Sequence, residues 1–397
     1  MTRILLITNR YPCDADDPAS PFVPHFVEAV RARGVQVDVL TPRYLADRGD
    51  KEPRFVHRFA AGADRPVGSW NLLDPRSWVR LRRFLRDGHE AGRELCELRR
   101  YDHIFALWAL PSGEFARRLS REFNIPYSVW CLGSDIYVWS KRPVIGGRVK
   151  KVLEGATQLF GDGEDLCGRV TSWLGLPCQF LPSYRPLAVV PLLDPPVPTD
   201  KPRYLCLGRV HRDKGVFELL EAFAAVRKIL PKATLHVVGD GPDLGAMRSR
   251  ASELDVHDAV SFTGPVGSAQ IIEEYRRCDF VVIPSKSDSL PLVFSEAVQM
   301  NKPVIGSNVG DLGAWIWHYR VGLVLHDFTV EALTEAMTSM AGSPSFDAEG
   351  RAEMLNRLDP VFAADVFCSS VCNTGASHPS PKQRNPISRL AEFHRTV

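Results

Sequence analysis

The sequence predicts an α/β protein of two domains, each built on a parallel sheet, and three observations lead there. Short apolar or β-branched runs take turns with amphipathic stretches along most of the chain, the pattern of strands joined by helical crossovers. One proline-dense segment, PSYRPLAVVPLLDPPVPTDKP between Pro182 and Pro202, interrupts that alternation near the middle. A chain of 397 residues, 45% hydrophobic and 24% charged, exceeds the usual single-domain size and can bury two ordinary cores. Intrinsic disorder, collagen and small disulfide scaffolds are excluded by the same composition.

Taken in order, the first half opens on the strand RILLIT, followed by the amphipathic PHFVEAVRARG and the strand VQVDVL. A long arginine-rich stretch from Arg76 to Arg100 leads to HIFAL, the helical GEFARRLSREF and the strand YSVWCL. RVKKVLEG, TQLFG and LCGRVTSWLG continue the rhythm. Prolines then remove backbone donors and forbid a helix or central strand, so 183–202 is read as the linker between a domain at 1–182 and a second at 203–360. In that second domain the strands RYLCLG, ATLHVVG, AVSFTG, DFVVIP, KPVIG and VGLVL alternate with FELLEAFAAVRKI, LGAMRSRASEL, AQIIEEYRRC, LVFSEAVQM and VEALTEAMTSM. Residues 361–397 read as an atypical tail for which disorder is expected: from Cys368 onward it has polar and proline content without a periodic apolar face, and only a short piece near its end suits a helix.

Charge and cysteine content narrow the partners. A formal charge of +2 from 49 basic and 47 acidic side chains gives no global field of the kind that nucleic acid demands. Nine scattered cysteines without a Cys-x-x-Cys pair suggest neither a disulfide framework nor a zinc cage, and reduced thiols in the cytoplasm are expected. The apolar run Ile4–Ile7 is too short for a signal segment, and no run approaches membrane-spanning length. Arginines crowd Trp78, Leu81, Phe84 and Leu85 in the 76–100 stretch. That pattern fits either a basic amphipathic helix lying on anionic lipid or a surface helix whose arginine stems cover apolar neighbours.

In open parallel sheets, ligands bind beyond the carboxyl ends of strands. RYLCLG ends on Gly208 and is followed by Arg209 and Lys214, with Gly215 and a helix from about Val216. Two cations beside a helix N-terminus suit a diphosphate, and two solvated loop cations are the other reading. After ATLHVVG, Gly239 and Gly241 allow a tight turn with Asp243 as an N-cap candidate; a dinucleotide fingerprint is the weaker reading, because Gly245 falls one place late. After DFVVIP, Asp288 sits in a loop and Glu296 about a turn inside the next helix, while the backbone of Leu290, Pro291, Leu292 and Val293 opens that helix as an anion site, with Ser289 beside it as a further donor-binding candidate. Carboxylates accept from paired sugar hydroxyls and amides donate to phosphate, a combination that a nucleotide sugar needs.

The second half, from about Arg203 to Met340, resembles the retaining glycosyltransferases of family 4, which have the two-domain GT-B fold. The likeness rests on Gly208-Arg209 with Lys214-Gly215, on Val238-Gly239-Asp240-Gly241-Pro242, on Phe262-Thr263-Gly264, on Pro284-Ser285 with Glu296-Ala297, and on Pro303-Val304-Ile305 with Val309-Gly310. The resemblance implies two Rossmann-like domains facing a cleft and a nucleotide diphosphate sugar as donor substrate, with no cofactor and no metal. It assigns Arg209 and Lys214 to the diphosphate, Glu296 to the ribose hydroxyls and Asp288 to the transferred sugar, where the family's Glu-x7-Glu pair stands here as Asp288-x7-Glu296. The backbone from Gly264 to Val266 would lie against the nucleobase. The N-terminal half matches more loosely: Thr8-Asn9-Arg10-Tyr11-Pro12 through Pro21 to His25 looks like the acceptor-side loop, and Leu132-Gly133-Ser134-Asp135 like the family's His-Gly-Ser-Asp segment, with Leu132 in place of the histidine. Asp135 is expected either to orient a hydroxyl or to cap the following turn.

The function so implied is transfer of a sugar to a hydroxyl acceptor, lipid-linked or glycan, with retention of configuration, in polysaccharide or glycolipid biosynthesis. Its expected location is the cytoplasm, with peripheral attachment to the inner face of the membrane. Two other readings stand beside it: a nucleotide-sugar epimerase of the same fold, and a catalytically silent sugar-nucleotide binding subunit. Asp14-Ala15-Asp16 has the Asp-x-Asp form of a metal site but is read as a solvated acidic turn.

Overall fold

In a computed structural model of the chain, residues 1–14, 17, 19–45, 53–63, 67, 70, 74–187 and 197–372 are described. They divide into two units, the first comprising Met1–Ser183 together with the helix beginning at Pro360, the second running from Tyr184 to Asp359.

Among the described residues the first unit holds strands β1 (Arg3–Ile7), β2 (Gln36–Arg43), β3 (Val56–Ala60), β4 (His103–Leu107), β5 (Tyr127–Cys131), β6 (Gln158–Gly161) and β7 (Cys178–Phe180). All pair in parallel in the order β3-β2-β1-β4-β5-β6-β7. Helices α1 (Phe22–Arg31), α2 (Pro75–Leu98), α3 (Ser112–Phe123), α4 (Pro143–Glu154) and α5 (Glu164–Leu174) connect them, with a π-helical turn at Asp135–Trp139. Both faces of the sheet are buried, as parallel strands require. Along β4, Ile104 and Ala106 enter a core with Phe59, Phe84, Phe115 and Leu119, whereas Phe105 points to the opposite face. There it meets Trp130 at 6.0 Å, Phe160 at 5.9 Å and Phe367 at 4.4 Å between ring centroids.

The second unit repeats the plan with β8 (Arg203–Leu207), β9 (Thr234–Val238), β10 (Val260–Gly264), β11 (Phe280–Ile283), β12 (Val304–Ser307) and β13 (Gly322–Leu325) in the order β10-β9-β8-β11-β12-β13, again all parallel. Its helices are α6 (Val216–Ile229), α7 (Leu244–Glu253), α8 (Ser268–Arg277), α9 (Leu292–Gln299), α10 (Leu312–Tyr319), α11 (Val330–Gly342) and α12 (Ala348–Leu358). Tyr204, Leu219, Phe223, Val237, Phe280 and Met337 form the centre of its core.

The structure corrects the expected tail. Residues 361–371 are not disordered: α13 (Pro360–Val371) packs on α1, buries Ala363, Ala364, Val366 and Phe367, and is tied down by the Arg33 guanidinium on Asp365 Oδ1 at 2.7 Å and on the Val361 carbonyl at 2.6 Å. Its buried face uses two alanines and a valine beside one phenylalanine, which blurs the apolar periodicity, although Pro at the first helical position is a helix-start signal. The rest of the tail, 373–397, lies outside the described residues. So do 188–196 of the proline-rich segment. Tyr184–Leu187, placed in the linker by the sequence, belongs to the second unit, because the Gln299 side chain donates to the Arg185 carbonyl at 3.0 Å and accepts from the Leu187 N–H at 2.9 Å.

Candidate functional site

A parallel sheet of order 3-2-1-4-5-6 has one place where neighbouring strands send their chains in opposite directions, and a crevice opens there beyond their carboxyl ends. In the second unit that place lies between β8 and β11. The loops leaving these strands carry Lys214 and Asp288, and they are in contact. A 3₁₀ turn at Arg212–Lys214 ends on Gly215, whose φ of +67° is left-handed and whose Cβ, if present, would stand 1.9 Å from the Pro284 carbonyl oxygen. The Lys286 N–H donates to the Asp213 carbonyl at 2.8 Å. Held this way, Lys214 Nζ reaches Asp288 Oδ2 at 2.5 Å, and the Ser285 hydroxyl donates to the same oxygen at 3.2 Å. The two carry side-chain exposures of 35% and 20%, so the pair is open to a ligand.

Arg209 is exposed on the same loop, just after Gly208 at φ +134°. Gly239 and Gly241 serve that loop. A Cβ on Gly239 would fall 1.8 Å from the Gly208 carbonyl oxygen and one on Gly241 2.0 Å from that of Val210, so these glycines let the β9 loop pack under the β8 loop. Asp243 does not cap α7 with its side chain: Oδ2 accepts the Arg212 N–H at 2.7 Å and so braces the β8 loop. Gly264, at φ +81°, accepts the Gly239 N–H at 2.8 Å, with Val266 half-buried just beyond it.

Pro291 stands before α9 in an extended conformation, so the helix opens at Leu292 and Val293, whose first amides have no intrahelical carbonyl. Ser289 and Leu290 are buried beneath this opening, where the Ser289 carbonyl accepts the Asp311 N–H at 3.2 Å. Glu296, which the resemblance assigns to the ribose hydroxyls, already has two protein partners. It is 2% exposed, Oε1 lies 2.7 Å from Arg185 Nη2, and Oε2 accepts the Tyr275 hydroxyl at 2.9 Å. Burial holds the Glu296 carboxyl above the usual carboxylate range, and the Arg185 guanidinium and the Tyr275 hydroxyl offset part of that rise. Each oxygen keeps a further lone pair. Arg185 and Tyr275 were invisible to sequence reasoning, since neither belongs to a motif; the signal for Arg185 is its place as an isolated cation in a proline-rich run.

In the first unit the strand order reverses between β1 and β4. Asn9, after β1, accepts the Ser112 hydroxyl at 2.7 Å and donates to the Leu110 carbonyl at 3.2 Å, joining the two loops there. Pro21 precedes α1 and His25 lies half-buried on it. Gly133, at φ +100°, and exposed Ser134 follow β5. Asp135, expected as a catalytic group, is instead fully buried, with its oxygens accepting the Ala109 N–H at 3.1 Å and the Leu132 N–H at 3.3 Å. Burial pushes its carboxyl up to about 6 against those donors. In this position it braces the 131–136 loop through those amides. Asp17 likewise braces its own turn through the Cys13 and Ala19 amides, and Asp16 lies outside the described residues.

This geometry agrees with what the chain resembles. Residues 194–355 match the family model described as glycosyl transferases group 1, and residues 19–167 match the glycosyl transferase 4-like domain. The D-inositol 3-phosphate glycosyltransferase of Arthrobacter sp. (strain FB24) is 31% identical over 327 residues, covering 77% of this chain and 71% of the relative. The chain belongs to the group 1 glycosyltransferases. A second relative of this group 1 glycosyltransferase is the GDP-mannose-dependent alpha-(1-6)-phosphatidylinositol monomannoside mannosyltransferase of Mycobacterium tuberculosis, 27% identical over 86% of this chain and 89% of its own. Sucrose-phosphate synthase from Thermosynechococcus elongatus shares the fold, with a TM-score of 0.70 at 21% identity over 100% of this chain and 99% of its own. The group 1 glycosyltransferase therefore has the GT-B fold, with two Rossmann-like α/β units.

Among the described residues, no helix of the group 1 glycosyltransferase is long and apolar enough to cross a membrane. α2 is amphipathic, with Phe84 and half-buried Leu85 turned to the core and Trp78 and Val79 exposed beside Arg76, Arg80 and Arg82.

Proposed function

We propose that this glycosyltransferase moves a sugar from a nucleotide diphosphate donor to a hydroxyl acceptor with retention of configuration, without a resident metal or cofactor. The observation that carries the reading is the Lys214–Asp288 pair at the β8/β11 switch point. There the ammonium stands where a departing diphosphate would gather charge and the carboxylate where a sugar hydroxyl would need an acceptor. On binding, the diphosphate replaces Asp288 as the partner of Lys214, and Asp288 turns to the sugar. Arg209, Lys214 and the first amides of α9 then stabilise the leaving group more than the bound donor, which is the condition for accelerating bond cleavage. The leaving phosphate oxygen takes the acceptor proton. Glu296 meets the ribose hydroxyls, and the Gly264–Val266 backbone lies against the base.

The acceptor is bound by the first unit through Asn9, Pro21, His25, Gly133 and Ser134. By analogy with the mannosyltransferase relative, which is named for GDP-mannose and a phosphatidylinositol mannoside, the acceptor is a lipid-linked or glycan hydroxyl. Exposed Trp78 and Val79 among the α2 arginines suit attachment to the anionic inner face of a membrane from the cytoplasm.

Product analysis tests the reading: a nucleotide sugar selected by thermal stabilisation should yield a glycoside and free nucleoside diphosphate. Return of an isomeric nucleotide sugar would make the protein an epimerase, and binding without turnover a silent subunit. Transfer should survive a chelator; activity lost with EDTA and restored by Mg²⁺ or Mn²⁺ would contradict the metal-free mechanism. Glu296→Gln should weaken a nucleoside diphosphate by about tenfold, the scale of one charge-assisted hydrogen bond, and an unaltered dissociation constant by calorimetry would remove Glu296 from the ribose.

A further inference from the structure

Glu296 carries a cationic partner that its own helix does not supply. Arg185 comes from the segment entering the second unit, and Gln299 fixes its backbone through the Arg185 carbonyl and the Leu187 N–H. The guanidinium is itself buried, at 5% exposure, and its Nε–H has no partner. Burying a charged group with an unmet donor is costly, and an ion pair of this kind seldom exceeds a well-packed apolar pair in stability. The pair therefore calls for a use beyond holding the fold.

The surroundings of the carboxylate are asymmetric. From α8 the Tyr275 hydroxyl donates to Oε2, and Cys278 lies in electrostatic reach of that hydroxyl. Tyr184 approaches from the entering segment, and from α12 the Arg351 guanidinium is spent on the Val298 and Gln299 carbonyls at the far end of α9. Of these groups, Arg185 is the cation in contact with Glu296.

We propose that Arg185 is a positioning residue that keeps Glu296 ionised and aims its remaining lone pairs at the donor ribose, a role that rests on the ribose reading above. Without the guanidinium, burial drives a proton onto Glu296. A protonated carboxyl is a poor acceptor for two hydroxyl donors, so nucleotide binding falls at lower pH and recovers as the pH rises through the raised pKa. With Arg185 present the carboxylate stays charged and binding is flat over the same range.

The test is calorimetric titration of the whole chain with GDP, UDP and ADP between about pH 7 and 9, with inorganic pyrophosphate as the ribose-free control. For wild type the best nucleotide should show a flat dissociation constant, whereas Arg185→Gln should bind it about tenfold more weakly at pH 7 and recover toward pH 9. Arg185→Lys should restore a flat profile, and pyrophosphate affinity should hardly change in any variant. A parallel profile for Arg185→Gln overturns the positioning role while leaving the ribose reading intact. Unchanged nucleotide affinity in Glu296→Gln, or no binding of any nucleotide to wild type, overturns both. Difference infrared spectra of wild type against Glu296→Gln need no Arg185 variant: a carboxylate band at pH 7 is expected, and a protonated carboxyl band overturns the proposal.

Discussion

Lys214→Ala should lower kcat at saturating donor by about 10²–10³-fold, the loss that follows removal of one preorganised donor to a developing oxyanion. The ammonium is partly exposed and touches Asp288 alone among the contacts described for it, so its removal should move the melting temperature little. Asp288 keeps the Ser285 hydroxyl and is not stranded. Because the charge on the diphosphate grows as the glycosidic bond breaks, the defect should fall on kcat more than on KM for the donor. Unchanged turnover under donor saturation would take Lys214 out of the leaving-group role. Partial recovery in Lys214→Arg would show that fixed positive charge is what the position needs.

Phe367→Ala should destabilise the first unit by about 3–5 kcal/mol, the cost of emptying a buried aromatic site. The ring is 1% exposed and contacts Phe105, Phe26 and Phe160 at 4.4, 5.4 and 5.9 Å between centroids. Amide exchange should quicken in β4, β5 and α1 while β8 to β13 keep their protection, since the two units have separate cores. Equal protection in wild type and variant would mean that α13 adds nothing to the first core.

The alternation of periods made the sheets legible, because buried parallel strands are short continuous apolar runs and their crossovers are amphipathic. β3 escaped because His57 and Arg58 break its run at a sheet edge, and α10 because LGAWIWHY is apolar on nearly every side. The candidate loops were legible for a topological reason: strands β8 and β11 mark the switch point, and the residues that follow them in sequence stand beyond the carboxyl ends where open parallel sheets take ligands. Asp135 misled because a carboxylate at a strand's carboxyl end serves equally to face a ligand or to tie down loop amides, and here both of its oxygens are taken by the Ala109 and Leu132 amides. Arg185 and Tyr275 lie outside any local pattern, and their meeting at Glu296 is a product of tertiary packing.

The placement of α13 sets a schedule for biosynthesis. Chains of several domains usually complete them in order as they leave the ribosome. Here the ring that closes the Phe26–Phe105–Phe160 face is encoded after the entire second unit. The nascent N-terminal lobe must therefore wait, with a greasy aromatic surface uncovered, until the whole second unit has been made, and a chain cut short before Pro360 would leave a lobe that stays sticky and invites chaperones or proteolysis.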